Sequence, residues 1–171
     1  TLTDESIDLF KKCKEKYEHV GPVLQAYLFR SKDDLSSLNH LNNINVRICK
    51  GIYREHADIA IQSRNDINNN FLKLLQFAFE NKIYVGIATH DLSLIERAYK
   101  LINDMNIPND QFEFQVLYGV PMSGWLEKHL EHKFRVRVYV PFGKDWYNYS
   151  VRRLKENPNI AGYVLRDIFK R

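Results

Sequence analysis

Four groups of residues in this sequence have the types and spacing to act on a small organic molecule. Tyr149-Ser150-Val151-Arg152-Arg153 is the first. Successive helix positions point about 100° apart, yet two long guanidinium side chains can still converge on one carboxylate. Tyr149, three and four residues earlier, shares their side of such a helix. An aromatic lid over two forked cations suits a small amino acid or a 2-oxo acid, although a solvated basic helix would carry the same residues.

Arg47, Lys50 and Tyr53 in VRICKGIY form the second group. Strand alternation puts Val46, Ile48 and Lys50 on one face and Arg47, Cys49 and Gly51 on the other. An arginine buried in such an apolar run requires an ion-pair partner or a polar ligand. A cofactor with oxygens and ring nitrogens would serve, with Gly51 letting the backbone approach it. A structural ion pair would serve equally.

Thr89-His90-Asp91 is the third group. His90 has the chemistry of a general base, whereas Asp91 is placed to cap the following helix. The fourth group is Tyr139, Gln25, Tyr27 and Gln115, polar residues inside otherwise apolar strands. Each needs a hydrogen-bond partner if buried, and several strands interrupted in this way point to a shared internal ligand. No carboxylate and histidine set has metal-ligand spacing, so no metal is expected.

Short β-rich runs alternating with amphipathic stretches must position these groups. A leading helix is expected over residues 1–19, with Ile7, Phe10, Cys13 and Tyr17 on one face, stopped by Gly21-Pro22. Strands are expected at VLQAYLF (23–29), VRICKGIY (46–53, passing into a loop at Gly51), IYVGIAT (83–89), FEFQVLY (112–118) and VRVYV (136–140). Between them fall helical patterns from Asp33, at 67–78, at 92–105 and around 126–130, with two more at 145–156 and 161–170. This rhythm predicts an α/β fold with parallel βαβ units in a single domain, 1–171, whose first 20 residues are a leading helix. Polar residues at the strand C-termini, and no GxGxxG, favour a TIM-like barrel over a nucleotide-binding doubly wound sheet. Eight units of this length would need roughly 270 residues, so about five strands make a partial (β/α)8 barrel.

Composition narrows the partners. The 25 basic and 21 acidic residues leave a net charge of +4, and Lys11, Lys12, Lys14 and Lys16 alternate with Glu15 and Glu18. That is the pattern of a solvated helix face, not of a nucleic-acid surface. Cys13 and Cys49 lack CxxC spacing, which argues against a disulfide framework and for a reducing compartment.

Taken in order, VRICKGIY, GIATHD, FEFQVLYG, VRVYVPFG with DWYNYSVRRLKENP, and the closing GYVLRDIF resemble the C-terminal half of proline dehydrogenase, from about residue 23 onward. The resemblance implies a distorted (β/α)8 barrel that holds FAD non-covalently and oxidises L-proline to 1-pyrroline-5-carboxylate. Hydride would leave ring C5 for flavin N5, and electrons would pass to a quinone acceptor. It implies that Arg152 and Arg153 pair with the proline carboxylate and that Tyr53, Tyr139 and Tyr149 enclose the ring. Tyr139 would lie near the carbon that bears the hydroxyl in hydroxyproline. Arg47 is implied to sit beside flavin N5 and Gln25 to reach the pyrimidine edge. Lys50, Gly51, Thr89, His90 and Glu156 are implied to contact the ribityl, phosphate or adenosine parts.

Family members also carry an active-site lysine and aspartate on early strands, and nothing before Val23 corresponds to them. The N-terminal half of the barrel is therefore expected to be missing, with two sheet edges unpaired and weak or no turnover by these 171 residues alone. A catalytically incompetent half-barrel or binding module of the same family is the alternative. An unrelated barrel enzyme that uses the same arginines on a phosphorylated or carboxylated substrate is a third reading. The expected setting is bacterial cytoplasm with a peripheral membrane contact, or else the mitochondrial matrix.

Overall fold

The structure, a computed structural model, describes residues 3–51, 55–118, 120, 124–140, 142–144 and 151. Five strands, β1 (Val23–Gln25), β2 (Asn45–Cys49), β3 (Tyr84–Ala88), β4 (Phe112–Leu117) and β5 (Val136–Tyr139), form one parallel sheet in chain order. Helices α1 (Thr3–Lys14), α2 (Ser31–Leu38), α3 (Arg64–Glu80), α4 (Leu92–Asp104) and α5 (Trp125–Glu131) alternate with them. Right-handed crossovers between strands laid down in sequence order keep the connecting helices on one face, whereas a doubly wound sheet reverses its order at a switch point. The order therefore gives an arc of a (β/α)8 barrel.

Period-two alternation decides which side chains meet the helices. Leu24, Val46, Ile48, Val85, Ile87, Phe112, Phe114 and Val116 are buried beneath Phe71, Leu74 and Leu75 of α3 and Leu94, Ile95, Ala98 and Ile102 of α4. Burying each large apolar side chain contributes about 1.5–3 kcal/mol, so this seam fixes the register of the arc. Ser63 caps α3 by accepting from the Asp66 N–H, and Asp91 caps α4 by accepting from the Leu94 N–H at 3.3 Å.

Two expected elements are shorter than their apolar patterns. The leading helix ends at Lys14, because the N–H groups of Lys16 and Tyr17 both turn back to the Cys13 carbonyl. Ile7 and Phe10 are buried as the face requires, while Tyr17 lies beyond the helix and is exposed. The first strand stops at Gln25 and not at Phe29. There the chain turns, with Ala26 and Tyr27 donating to the carbonyls of Cys49 and Lys50, and Leu28 bridging to Ala60. Tyr27 thus packs with Leu28 and Ala60 in a small separate cluster and does not lie on the inner face with Gln25. The helices expected at 145–156 and 161–170 lie outside the described residues, apart from residue 151.

Behind β4, Tyr99 of α4 and His129 of α5 meet in an aromatic box with Phe114, Trp125 and Phe134. The Tyr99 hydroxyl lies 2.7 Å from His129 Nδ1, and the imidazole stacks on Phe114 with centroids 4.0 Å apart. Lys128 crosses over Trp125 at 4.1 Å, closing the outer side. Burial, helped by the nearby charges of His132 and Lys128, pushes His129 down to about 4.

Candidate functional site

The opposite face of the arc has a different composition. Register places Val23, Arg47, Gly86 and Glu113 in one row across β1 to β4. Gln25, Cys49, Ala88, Gln115 and Arg137 form the next row, and Leu117 with Tyr139 a third. Charged and amide side chains thus share one concave face whose reverse is entirely apolar. A sheet covered by helices on one side and by a polar ligand on the other would be built in this way.

Glu113 anchors this floor. Its carboxylate accepts from Arg137 Nε at 2.6 Å and Nη2 at 3.0 Å, from Gln115 Nε2 at 2.7 Å and from the Tyr84 hydroxyl at 3.1 Å. Burial pushes the group up, but Arg137, Gln115 and Tyr84 outweigh it and hold Glu113 below the usual carboxylate range. Gln115 reaches this arrangement by lying across Gly86, where a Cβ would collide with its amide. Glycine in β3 is therefore required by the close approach of a neighbouring side chain.

Arg47 is exposed on this face, not buried as its apolar strand suggested, and makes no salt bridge among the described residues. An open concave face removes the desolvation cost that would have demanded a partner. Gln25 lies diagonally from it on β1, half-buried, and Cys49 and Ala88 extend Gln25's row with small side chains.

Beyond the strand tips, Lys50 Nζ pairs with Asp91 Oδ2 at 2.7 Å, and Asn68 Nδ2 reaches the same oxygen at 3.4 Å. Burial raises Asp91, yet the Lys50 hydrogen bond and charge, with the Leu94 N–H, carry it below its ordinary value. Thr89 Oγ1 accepts the Asp91 N–H at 3.1 Å. His90 Nε2 accepts the Leu117 N–H at 3.1 Å, tying the end of β3 to β4. Burial, with the Arg47 charge beside it, lowers His90 below its ordinary value. A lone pair committed to a backbone N–H cannot also take a substrate proton, so the general-base role for Nε2 is set aside and the Asp91 cap is what remains. Gly51 has φ +96°, and the Tyr27 ring occupies the space a Cβ would need. Its conformational freedom therefore serves this turn.

Among the predicted site residues, Gln25, Arg47 and Tyr139 share the concave face, with Lys50, Gly51, Thr89 and His90 around its C-terminal rim. Tyr53, Tyr149, Arg152, Arg153 and Glu156 lie outside the described residues. Glu113, Arg137 and Gly86 were not singled out from the sequence. The signal was the alternation in FEFQVLY and VRVYV, which places Glu113 with Gln115 and Arg137 with Tyr139.

Comparison with known proteins then decides the family. A model of the proline dehydrogenase family matches residues 2–166. The chain belongs to the proline dehydrogenase family. Proline dehydrogenase 2 of Bacillus subtilis (strain 168) is 38% identical over 167 residues, 98% of this chain and 54% of that protein. Proline dehydrogenase of Deinococcus radiodurans is 38% identical over 173 residues, 99% of this chain and 55% of that protein. The chain thus spans about half the length of the curated relatives it matches. Among solved structures, proline utilization A from Bdellovibrio bacteriovorus, inactivated by N-propargylglycine, superposes with a TM-score of 0.77. It is 22% identical, over 95% of this chain and 21% of that one. A second proline utilization A, with proline bound in remote sites, gives 0.72 at 21% identity, over 95% of this chain and 19% of that one. These likenesses confirm the barrel fold, and the family assignment rests on the sequence matches.

Proposed function

We propose that this chain supplies the substrate-binding side of an FAD-dependent proline dehydrogenase that converts L-proline to 1-pyrroline-5-carboxylate. The observation that carries the reading is Arg47, an exposed cation with no carboxylate partner among the described residues, on the concave face beside the Gln25 amide.

The donor set suits a flavin ring. Arg47 offers N–H groups to a ring nitrogen or carbonyl, and the Gln25 amide can both donate to and accept from a pyrimidine edge. Cys49 and Ala88 beside Gln25 leave a shallow floor on which a flat ring can lie. Lys50, Gly51, Thr89, His90 and Glu156 are assigned to the ribityl, phosphate and adenosine parts. Since Lys50 is already paired with Asp91, its contribution would be shared with that carboxylate. When bound, the flavin supplies the acceptor for a hydride from proline C5, and the electrons go on to a quinone.

This chain's own residues bind, orient and exclude water. Arg152 and Arg153 fix the proline carboxylate, while Tyr53, Tyr139 and Tyr149 wall the pyrrolidine ring. Fixing the carboxylate and two faces of a five-membered ring leaves one carbon presented to the acceptor. A quinone acceptor implies a peripheral membrane contact, with bacterial cytoplasm as the proposed setting. Among the described residues, no helix is long and apolar enough to cross a membrane.

The test sets this chain in place of the matching 167 residues of the Bacillus subtilis relative. The chimera is expected to show anaerobic reduction of bound FAD by L-proline, and a product that condenses with an aromatic amino-aldehyde as a cyclic imine does. A chimera that folds and binds flavin but is not reduced by proline contradicts the assignment.

A further inference from the structure

Arg47 and Arg137 stand on the concave face in different states, and Arg135, just before β5, lies beside the Tyr84 hydroxyl. Arg47 on β2 has no salt bridge among the described residues, whereas Arg137 on β5 is gripped along one edge by Glu113. The Nε and Nη2 donors of Arg137 point at the two carboxylate oxygens in the forked geometry that arginine uses for any carboxylate. Gln115 and Tyr84 supply the other two donors, so each Glu113 oxygen accepts two hydrogen bonds. Glu113 is 6% exposed, while the Arg137 side chain remains 68% exposed towards the concave space. Arg137 also stands two residues before Tyr139 on the same face of β5, within reach of whatever Tyr139 contacts.

We infer that Glu113 is a specificity-determining residue: it occupies the Nε–Nη2 fork of Arg137 and neutralises its charge, so that the exposed Nη1 side is a poor carboxylate site and an amino-acid substrate docks at one guanidinium site and not two. The inference rests on the proposed assignment of the substrate carboxylate to Arg152 and Arg153. Without Glu113, Arg137 would offer a second fork close to Tyr139. A substrate seated there would carry its ring carbons displaced from the reacting position, and the two placements would exclude each other. Gly86 and Gln115 support this role, because the glycine makes room for the amide that completes the Glu113 shell.

The test combines binding with kinetics. In the flavin-free chain, Glu113→Gln is expected to gain a weak, saturable site for cyclopentanecarboxylate, at least about threefold tighter than any in the parent and removed by adding Arg137→Gln. In the proline-oxidising chimera, Glu113→Gln is expected to lower kcat and KM by one common factor and to leave kcat/KM unchanged. That is the signature of non-productive binding, and a merely structural defect would not produce it. The Glu113→Gln/Arg137→Gln double variant should return both constants to the parent values. Arg137→Gln alone, which tests the inference even if Glu113→Gln does not fold, should leave proline affinity unchanged. A loss of proline affinity in Arg137→Gln would make Arg137 the carboxylate ligand and overturn the inference, as would a Glu113→Gln protein with no gained site. If instead Arg152→Ala with Arg153→Ala leaves proline affinity intact, the functional assignment fails and not this step alone.

Discussion

Replacing Arg152 and Arg153 together with alanine is expected to lower kcat/KM for proline by roughly a hundredfold to ten-thousandfold. A hydrogen bond to a charged group contributes about 1.5–3 kcal/mol, and two guanidinium groups directed at one carboxylate contribute roughly twice that. At about 1.4 kcal/mol per factor of ten, the range follows directly. Proline is small, so its carboxylate is a large share of what can be bound, and remote contacts cannot compensate. Measurement in the chimera with L-proline and with its methyl ester separates this role from general damage. The parent should prefer the free acid strongly, and the double variant should treat both substrates alike. Retained discrimination would place the carboxylate elsewhere.

The second large effect is on stability. In the unfolded chain His129 titrates near 6.5, and in the fold near 4. Between those values the unfolded state binds the extra proton, so stability is full above about 6.5 and falls as the pH drops towards 4. From pH 7 to pH 5 the loss is roughly 2 kcal/mol, from about 1.4 kcal/mol per unit of separation. Asp91 and Glu113, held below the usual carboxylate range, lose their contributions only at still lower pH, whereas His90, also lowered by burial, adds a further loss of the same sign in this window. Urea unfolding at pH 7 and pH 5 checks it. His129→Gln keeps an acceptor for the Tyr99 hydroxyl but cannot take up a proton, and should remove most of the difference. An unchanged difference would mean that other groups carry the acid sensitivity.

The sequence foretold the elements well where one periodicity dominated. IYVGIAT and FEFQVLY gave β3 and β4 to within about a residue at each end, because alternating burial and flanking turns agreed. VLQAYLF misled, since seven mostly apolar residues read as one strand while only three pair with β2. Ala26 to Leu28 are buried for another reason, against Ala60 and the turn that Gly51 permits. At the site, alternation correctly assigned Arg47 and Cys49 to one face. Whether that face met helices or an open concavity depended on the curvature of the whole sheet, which no single strand encodes. Hence Arg47 was expected to be buried and is exposed. The Glu113–Arg137 pair was illegible for a related reason, because its residues lie on separate strands and their register is a tertiary fact.

The concave face, at the C-terminal ends of the strands, is proposed to receive the flavin through Arg47. Titrating FAD into the flavin-free chimera while following isoalloxazine fluorescence tests it most directly. One saturable site is predicted, weakened about tenfold or more by Arg47→Met and unaffected by Lys73→Met on the outer surface of α3. Equal affinity in the parent and the Arg47→Met protein would mean that Arg47 does not hold the flavin.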